Sequence, residues 1–523
     1  MQSTISIIGG LCAILLSFLA YGQKEQVRAA EAIFQKGLEA ANQGKLDEAI
    51  TLYSQAIQKY DKLTGAFNNR GAIYEQQGKY ELALQDYEKA LLSSPKYKKT
   101  YYFNAGNVYF AMKEYNKALK NYNEYIKLDA GNPLVYYNRA KIAEAAKKYE
   151  KALEDYDKVL SLTKKMPQAY LNRGIARRNA MLYAEAVEDF TAYIKSNVND
   201  AEGFFQRALT KQDMGDFQGA LIDYSEVIRL KPQKIEAYAN RAAIRLMQEK
   251  YEAAIPDLTK IIEKDNKNLF ALRSRANCYK KIKKIDLAIA DFDAVILLEP
   301  NNVNNWIERG GLKRMNNQAN EAVLDFSQAI KLDANNTQAY LQRALAKKSL
   351  NKFDEALKDY DKAIVLLEKA LALERQVPAA KTKGQTATTP AKQPKQSELA
   401  LQLSLRLADC YNNRGYLKNQ LSKATEALKD FDKAIALDTA FAFAYNNRAI
   451  AKLNLNKVNE ALEDCKKSLQ MDDKNAYAYQ NLALIYLKMG KKAEALVEID
   501  KALQLIPELP EFLKTRDKIA QKQ

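Results

Sequence analysis

From Ala201 to Lys234, apolar residues recur at helical spacing in two short stripes. Phe204, Ala208 and Leu209 form the first, and Gly215-Asp216 breaks it. Ala220, Leu221, Tyr224 and Val227 form the second, which ends at Pro232. This predicts two amphipathic helices joined by a tight turn. The unit then repeats. Alanine stands at 118, 152, 186, 220, 254, 288, 322 and 356 in steps of 34 residues. Ala83 and Ala49 continue the column backwards after a one-residue slip, and Ala427, Ala461 and Ala495 resume it after an insertion. A fixed period of this length marks an array of stacked helix pairs.

Two further columns share the period. Small residues stand at Gly71, Gly106, Ala140, Gly174, Ala208, Ala242, Ala276, Gly310, Ala344, Gly415, Ala449 and Ala483, letting paired helices approach closely. Aromatic residues stand at Phe67, Tyr102, Tyr136, Tyr170, Phe204, Tyr238, Trp306, Tyr340, Tyr411, Tyr445 and Tyr479, and are expected in the core between neighbours. With the prolines at 95, 232, 300 and 507, these columns resemble the tetratricopeptide repeat family over residues 30–97, 99–370 and 408–509. The resemblance implies an all-α, right-handed superhelical solenoid of about 13 helix-turn-helix units, with a concave groove lined mainly by each unit's first helix. One such unit cannot bury its own apolar face, so stability comes from stacking. Units 1–10 span 30–370, units 11–13 span 408–509, and 510–523 is expected to form a capping helix around Phe512, Leu513 and Ile519. The two groups of units offer two binding segments.

The segments outside the array differ in kind. Residues 1–22 carry an uncharged apolar run, Ile5 to Tyr21, and read as a signal peptide cleaved before Gln23, with 23–29 a lead segment. The absence of Lys or Arg ahead of that run, with Lys24 and Arg28 after it, leaves a membrane anchor (residues 5–21) as the second reading. The expected location is accordingly exported (periplasmic or secreted in a bacterium), or membrane-anchored. Residues 371–407 form a basic Pro/Thr/Lys-rich insertion with helical flanks, either a spacer or a docking arm for an anionic surface. Leu399, Leu401, Leu403, Leu405 and Leu407 alternate like a strand, but their context favours helix.

Composition narrows the chemistry. The chain has 81 basic and 64 acidic residues, a formal charge of +17, and no histidine. The charges are dispersed in mixed-sign helices, so no nucleic-acid partner is expected. Without histidine, the usual general base and transition-metal ligand are missing. Cys278, Cys410 and Cys465 are too widely spaced for a disulfide framework or a CxxC site and are expected to be buried thiols. Gly44-Lys45 and Gly78-Lys79 have the wrong spacing for a phosphate loop and read as repeat turns. No catalytic residues, cofactor or metal are expected.

Three polar columns remain. Ten units pair an arginine with an aspartate sixteen residues later: Arg70/Asp86, Arg139/Asp155, Arg173/Asp189, Arg207/Asp223, Arg241/Asp257, Arg275/Asp291, Arg309/Asp325, Arg343/Asp359, Arg414/Asp430 and Arg448/Asp464. Units with Lys36, Ala105 or Leu482 in place of the arginine also lack the aspartate. Loss of both together predicts a structural ion pair between helices or between adjacent units, against an anion-binding role for the arginines. Four residues after the arginines, Arg177, Lys211, Arg245, Lys313, Lys347, Lys418 and Lys452 share their helix face and extend that network, or form a basic track for a polyanion. One residue before the arginine column stand Asn69, Asn104, Asn138, Asn172, Asn240, Asn413, Asn447 and Asn481. Asparagine is a poor mid-helix residue, but its amide both donates and accepts, which suits a peptide backbone. The column is similar to the asparagine ladder in the repeat region of the O-linked N-acetylglucosamine transferase, without that enzyme's catalytic domain. The resemblance implies that this position faces the groove; the alternative is that asparagine was simply copied with the unit. The family's dicarboxylate clamp for chaperone tails needs an arginine where this chain carries Asn, Gln, Ser or Glu, so such tails are not expected to bind. The chain therefore reads as a non-enzymatic scaffold that binds extended peptide segments or assembles a cell-envelope complex. The partners would be proteins or peptides, with membrane or envelope components as further candidates. A basic adaptor for anionic glycan or lipid surfaces is the alternative.

Overall fold

The computed structural model describes residues 2–376 and 397–521, with side chains from 21 to 375 and 397 to 521. The side chains of residues 1–20, and hence most of the candidate signal or anchor, lie outside the described set, as do residues 377–396 of the insertion. Among the described residues the chain forms 27 α-helices and one short 3-10 turn, with no strand. It divides into two compact units, Met1–Ile244 and Arg245–Gln523.

In the first unit the helix Gln2–Asn42 packs against Leu46–Lys59, and Thr64–Gln76 against Tyr80–Ser93. The pattern continues to Ala201–Asp213 against Phe217–Leu230. In the second unit, pairs run from Leu269–Lys281 with Ile285–Leu298 to Ala476–Lys488 with Lys492–Leu505. Within each unit every pair also packs on its successor, which covers the apolar face that one pair leaves open. The turn inside each pair passes through one residue of positive φ, such as Gly44 (77°), Gly78 (72°) or Asn317 (58°). The supposed phosphate loops are these turns. Asparagine or aspartate side chains (Asn132, Asp200, Asn268, Asn302, Asn336 and Asn475) cap first helices by accepting from backbone N–H groups.

The small column has a measurable cause. A Cβ built on Gly106 would lie 2.6 Å from the Tyr122 ring, and one on Gly174 2.7 Å from Phe190. These rings belong to a second aromatic column, on the second helices, that includes Tyr53, Tyr87, Tyr122, Tyr156, Phe190, Tyr224, Phe326, Tyr360 and Phe431, all essentially fully buried. The predicted first-helix aromatics are core or half-buried, and Tyr136, Trp306 and Tyr340 each donate to the carbonyl six residues earlier.

The insertion does not interrupt the stack of the second unit. Its flanks lengthen two helices to Phe353–Gln376 and Glu398–Gln420, which pack together through Leu367, Leu371, Ala400 and Leu407. The alternating leucines lie on a helix, where the 3.6-residue period buries Leu407 and leaves Leu399, Leu401 and Leu405 exposed. The capping helix, Pro510–Gln521, buries Phe512 and Ile519 against Ile499 and Leu487. Leu513, expected to join them, is 43% exposed because it lies on the outer side of that helix.

Gly174→Val is expected to destabilise the chain by about 1–3 kcal/mol through overpacking against Phe190. Urea unfolding at constant m-value checks it.

Candidate functional site

The arginine column forms the densest polar network. Nine of the ten predicted pairs lie inside one unit, and all nine are bidentate: Arg70–Asp86, Arg139–Asp155, Arg173–Asp189, Arg207–Asp223, Arg275–Asp291, Arg309–Asp325, Arg343–Asp359, Arg414–Asp430 and Arg448–Asp464. Arginine Nε donates to aspartate Oδ2 at 2.7–3.0 Å and Nη2 to Oδ1 at 2.5–2.7 Å. Arg241 belongs to the first unit and Asp257 to the second.

The aspartates of this column lie in the interior. Asp291 and Asp464 are 5% exposed and Asp325 and Asp430 2%, and Asp86, Asp155, Asp189, Asp223, Asp257 and Asp359 are buried as well. The reason is their place on the second helix. Each precedes a residue packed into the core: Asp291 precedes Phe292, Asp325 Phe326, Asp430 Phe431 and Asp464 Cys465. These carboxylates are therefore interior groups that a ligand does not reach.

The third arginine nitrogen, Nη1, reaches back to the preceding pair's second helix. Its acceptors are Ser54, Asn123, Asp157, Thr191, Ser225, Thr259, Asp293, Ser327, Asp361 and Asp432, at 2.6–3.0 Å. Each of the nine arginines thus joins its own second helix to that of the pair before. The planar guanidinium can do this because its donors form a fixed fork. Sequence reasoning left open whether the pair bridged two helices or adjacent units; the geometry does both. Aspartates two residues apart therefore have different roles: Asp155 and Asp359 take their own repeat's arginine, Asp157 and Asp361 the next repeat's.

The predicted basic column completes the set. Arg177, Lys211, Arg245, Lys313, Lys347, Lys418 and Lys452 each place a nitrogen 2.7–3.0 Å from the same aspartate Oδ2. Hydrogen bonding to Asp86 holds the Arg70 guanidinium above its ordinary pKa, and Asp155 does the same for Arg139. Burial pushes the Asp189 carboxyl up, against the pull of Arg173 and Arg177. Desolvation and attraction are thus closely opposed, as expected of a geometry-fixing pair. These arginines and lysines are committed to the fold, which leaves them neither an anion site nor a continuous track.

The asparagine column is half-buried throughout. Its amides are joined by rungs. Asn447 Nδ2 donates to Asn412 Oδ1 (2.9 Å), and Asn481 Nδ2 to Asn446 Oδ1 (2.8 Å). In the first unit Asn104 donates to Asn68 (3.1 Å), Asn138 to Asn107 (3.0 Å) and Asn172 to the Tyr137 hydroxyl (2.8 Å). Asn69 accepts from Asn68 (2.9 Å), and Asn240 hydrogen-bonds Tyr224. The column is therefore partly structural. Four of the rungs end on a second position, one residue before the asparagine column, that sequence reasoning missed: Asn68, Tyr137, Asn412 and Asn446, with Gln480 at the same place; the Asn138 rung ends instead on Asn107. The visible signal was the doubled amide in Asn68-Asn69, Asn412-Asn413, Asn446-Asn447 and Gln480-Asn481.

In the second unit both amide columns line one groove of 680 Å³, built from Asn412, Asn413, Asn446, Asn447, Gln480 and Asn481. Phe443 and Tyr477 stand exposed on its wall, at 50% and 45%. It also contains Asp409, whose carboxyl is pushed up by burial and by Asp438, and Lys348, whose amine burial pushes down. Lys348 lies 4.2 Å from the Tyr416 ring centroid. Neutral amides, rings and the three charged groups Lys348, Asp409 and Glu511 give hydrogen-bonding capacity without a nucleophile–base arrangement. Among the described residues no group of three His, Cys, Asp or Glu could hold a metal, and no helix is long and apolar enough to cross a membrane. Cys278, Cys410 and Cys465 are free and buried, and burial pushes the Cys410 and Cys465 thiols up to about 12.

Sequence profiles described as tetratricopeptide repeat match residues 30–58, 63–130, 133–165, 274–302, 337–366, 408–441 and 465–497. The chain is a tetratricopeptide repeat protein. The Hsp70-Hsp90 organizing protein 1 of Glycine max is 37% identical to this repeat protein over 105 residues, 20% of this chain and 18% of the relative. Tetratricopeptide repeat protein 6 of Homo sapiens is 35% identical over 80 residues, 15% of each chain. The matches span less than a fifth of these relatives' length. Among solved structures, YrrB, described as a TPR protein with an unusual peptide-binding site, is 18% identical with a TM-score of 0.30, covering 43% of this chain and 97% of its own. Pseudomonas aeruginosa PilF is 20% identical with a TM-score of 0.37, covering 42% and 99%.

Two outcomes are expected of this network and the thiols. Arg139→Ala leaves Asp155 with no cation, whereas Arg207→Ala leaves Asp223 with Lys211. The first should therefore approach the ~3–5 kcal/mol cost of an orphaned buried charge, and the second should cost clearly less. Parallel denaturant titrations compare them. In a Cys12→Ala chain, the thiols of Cys278, Cys410 and Cys465 should react with a disulfide reagent at pH 8 only at the rate of unfolding, because protonated buried thiols are inert. Stopped-flow labelling with and without urea reads this.

Proposed function

We propose that this protein is a non-enzymatic interaction scaffold that holds an extended peptide segment in the amide-lined groove of its second unit. The observation that carries this reading is the run of Asn412, Asn413, Asn446, Asn447, Gln480 and Asn481 along one cavity beside the exposed rings of Phe443 and Tyr477. An extended chain offers alternating N–H and C=O groups, and a side-chain amide can meet either. The rings supply apolar contact for side chains without dictating sequence. The rungs orient the amides before a ligand arrives, which lowers the entropy lost on binding. Assembly of a cell-envelope complex follows as the setting if residues 1–22 direct export. The Hsp70-Hsp90 organizing proteins carry chaperone names, but this chain has amides where the chaperone clamp needs arginine, so the reading does not extend to chaperone tails.

A panel of uncharged, unstructured fluorescent peptides tests it on the full chain. The combined substitutions Asn413→Ala, Asn447→Ala and Asn481→Ala are expected to weaken binding about tenfold or more, the loss of one to two net hydrogen bonds. Melting should fall only by the two rungs removed. Raising salt from about 0.1 to 0.5 M should change wild-type affinity little, since screening acts on charges. Unchanged affinity in the triple variant would remove the groove from consideration. Steep salt dependence would favour the anionic-surface adaptor instead.

A further inference from the structure

In one helix pair of the first unit a small residue replaces the second cation of the ionic network, and a cavity of 840 Å³ opens there. It lies between the start of helix Tyr115–Leu128 and the pair Pro133–Ala145 and Tyr149–Leu162. The cause is Ala143. It occupies the position, four residues after Arg139, where seven other pairs carry the second cation and where Tyr74 or Tyr279 supplies bulk. With only a methyl group there, Asp155 keeps Arg139 alone, and the space a lysine or arginine would fill is open.

A second change accompanies the first. Where the cation is Lys347, Lys418 or Lys452, a glutamate eight residues later lies 3.6–3.9 Å from it: Glu355, Glu426 and Glu460. The matching residue after Ala143 is Lys151. The site has therefore lost an internal cation and exchanged an outer anion for a cation. Lys113, Lys117, Lys148, Lys151 and Arg139 line the cavity, against Glu114, Glu154 and Asp155. Glu114 is paired with Lys117 at 2.5 Å and Asp155 with Arg139 at 2.6 Å. Among the described residues the Lys113, Lys148 and Lys151 side chains have no ion-pair or hydrogen-bond partner. Leu119, Ile142 and Ala143 supply an apolar wall.

We propose that this cavity receives the acidic side chains of a partner protein's segment, with aspartate or glutamate carboxylates meeting Lys113, Lys148 and Lys151 and their methylenes lying against Ile142 and Ala143. None of the eight predicted asparagines lines the cavity, so it is distinct from the amide groove. Its charge complements an acidic segment, and its unpaired cations become paired when one binds.

The test uses the full-length protein and two fluorescent peptides of equal length, one glutamate-rich and one lysine-rich, followed by anisotropy. Ala143→Lys rebuilds the residue found at Lys211 and Lys313, so the fold accommodates it, and it fills the cavity next to Asp155. This variant should melt at or above the wild-type temperature while losing about tenfold in affinity for the glutamate-rich peptide. Lys148→Glu with Lys151→Glu should abolish the preference for the glutamate-rich over the lysine-rich peptide. Asn413→Ala with Asn447→Ala should leave that preference intact while weakening both peptides alike, which separates this site from the amide groove. Equal binding by wild type and Ala143→Lys would overturn the proposal. So would tighter binding of the lysine-rich peptide, because the vacant place beside Asp155 would then be a cation site.

Discussion

A buried aspartate on the second helix of most pairs sets the constraint from which the rest of the architecture follows. A carboxylate at 0–6% exposure needs a cation with fixed geometry. The arginine sixteen residues earlier supplies two parallel hydrogen bonds, and its remaining nitrogen reaches the preceding pair. One side chain therefore fixes the separation of two helices, their rotation about their own axes, and the contact to the neighbour. The small column and the buried rings act in the same place: Gly174 is open to Phe190, one residue from Arg173 and Asp189. The first-helix aromatics lie against the same arginines, with Trp306 4.9 Å from the Arg309 guanidinium.

That rotation is what places the candidate site. The asparagines are one residue from the arginines, so about a hundred degrees around the same helix. With arginine turned toward the second helices, the amides are held on a neighbouring face, and in the second unit they converge on one groove. Asn104, in a pair without the arginine, is held through Asn68 and the Tyr97 hydroxyl, while Asn481, in another such pair, keeps the Asn–Asn rung seen at Asn447.

The period, the helix pairs, the ion pairs and the second cations were all legible in the sequence because each repeats one residue type at one spacing. What escaped were positions where chemistry is kept while residue type varies. The acceptor of Nη1 is serine, asparagine, aspartate or threonine in different pairs, so no single letter recurs. The partner of each amide rung is asparagine in some places and tyrosine in another. The second-helix rings alternate Tyr and Phe with aliphatic substitutes such as Leu258. The depth of Asp291, Asp325, Asp430 and Asp464 was hidden for a different reason: a charged letter beside polar neighbours looks the same on a surface as in an interior pair. Leu513 misled because apolar residues on a short terminal helix need not all face inward. The Ala143 cavity was equally hidden: it exists only by comparison of one pair with its neighbours.

The rungs limit what the proposed groove can read. Each joins one amide N–H to one amide oxygen, as Asn447 does with Asn412. Asn447 Oδ1 then has no partner among the described residues, so one acceptor is held at a fixed place on the groove, with Asn412 buried behind it. Asn481 over the buried Asn446 repeats the arrangement one repeat along. A series of oriented amide oxygens suits main-chain N–H groups, and its match is not to charge. Where the rung is lost, the register is lost too: the Gln206 amide turns to Glu202 on its own helix. The proposed recognition of backbone and the proposed recognition of acidic side chains thus rest on different chemistry, in different units of the chain. An extended partner could satisfy one without satisfying the other.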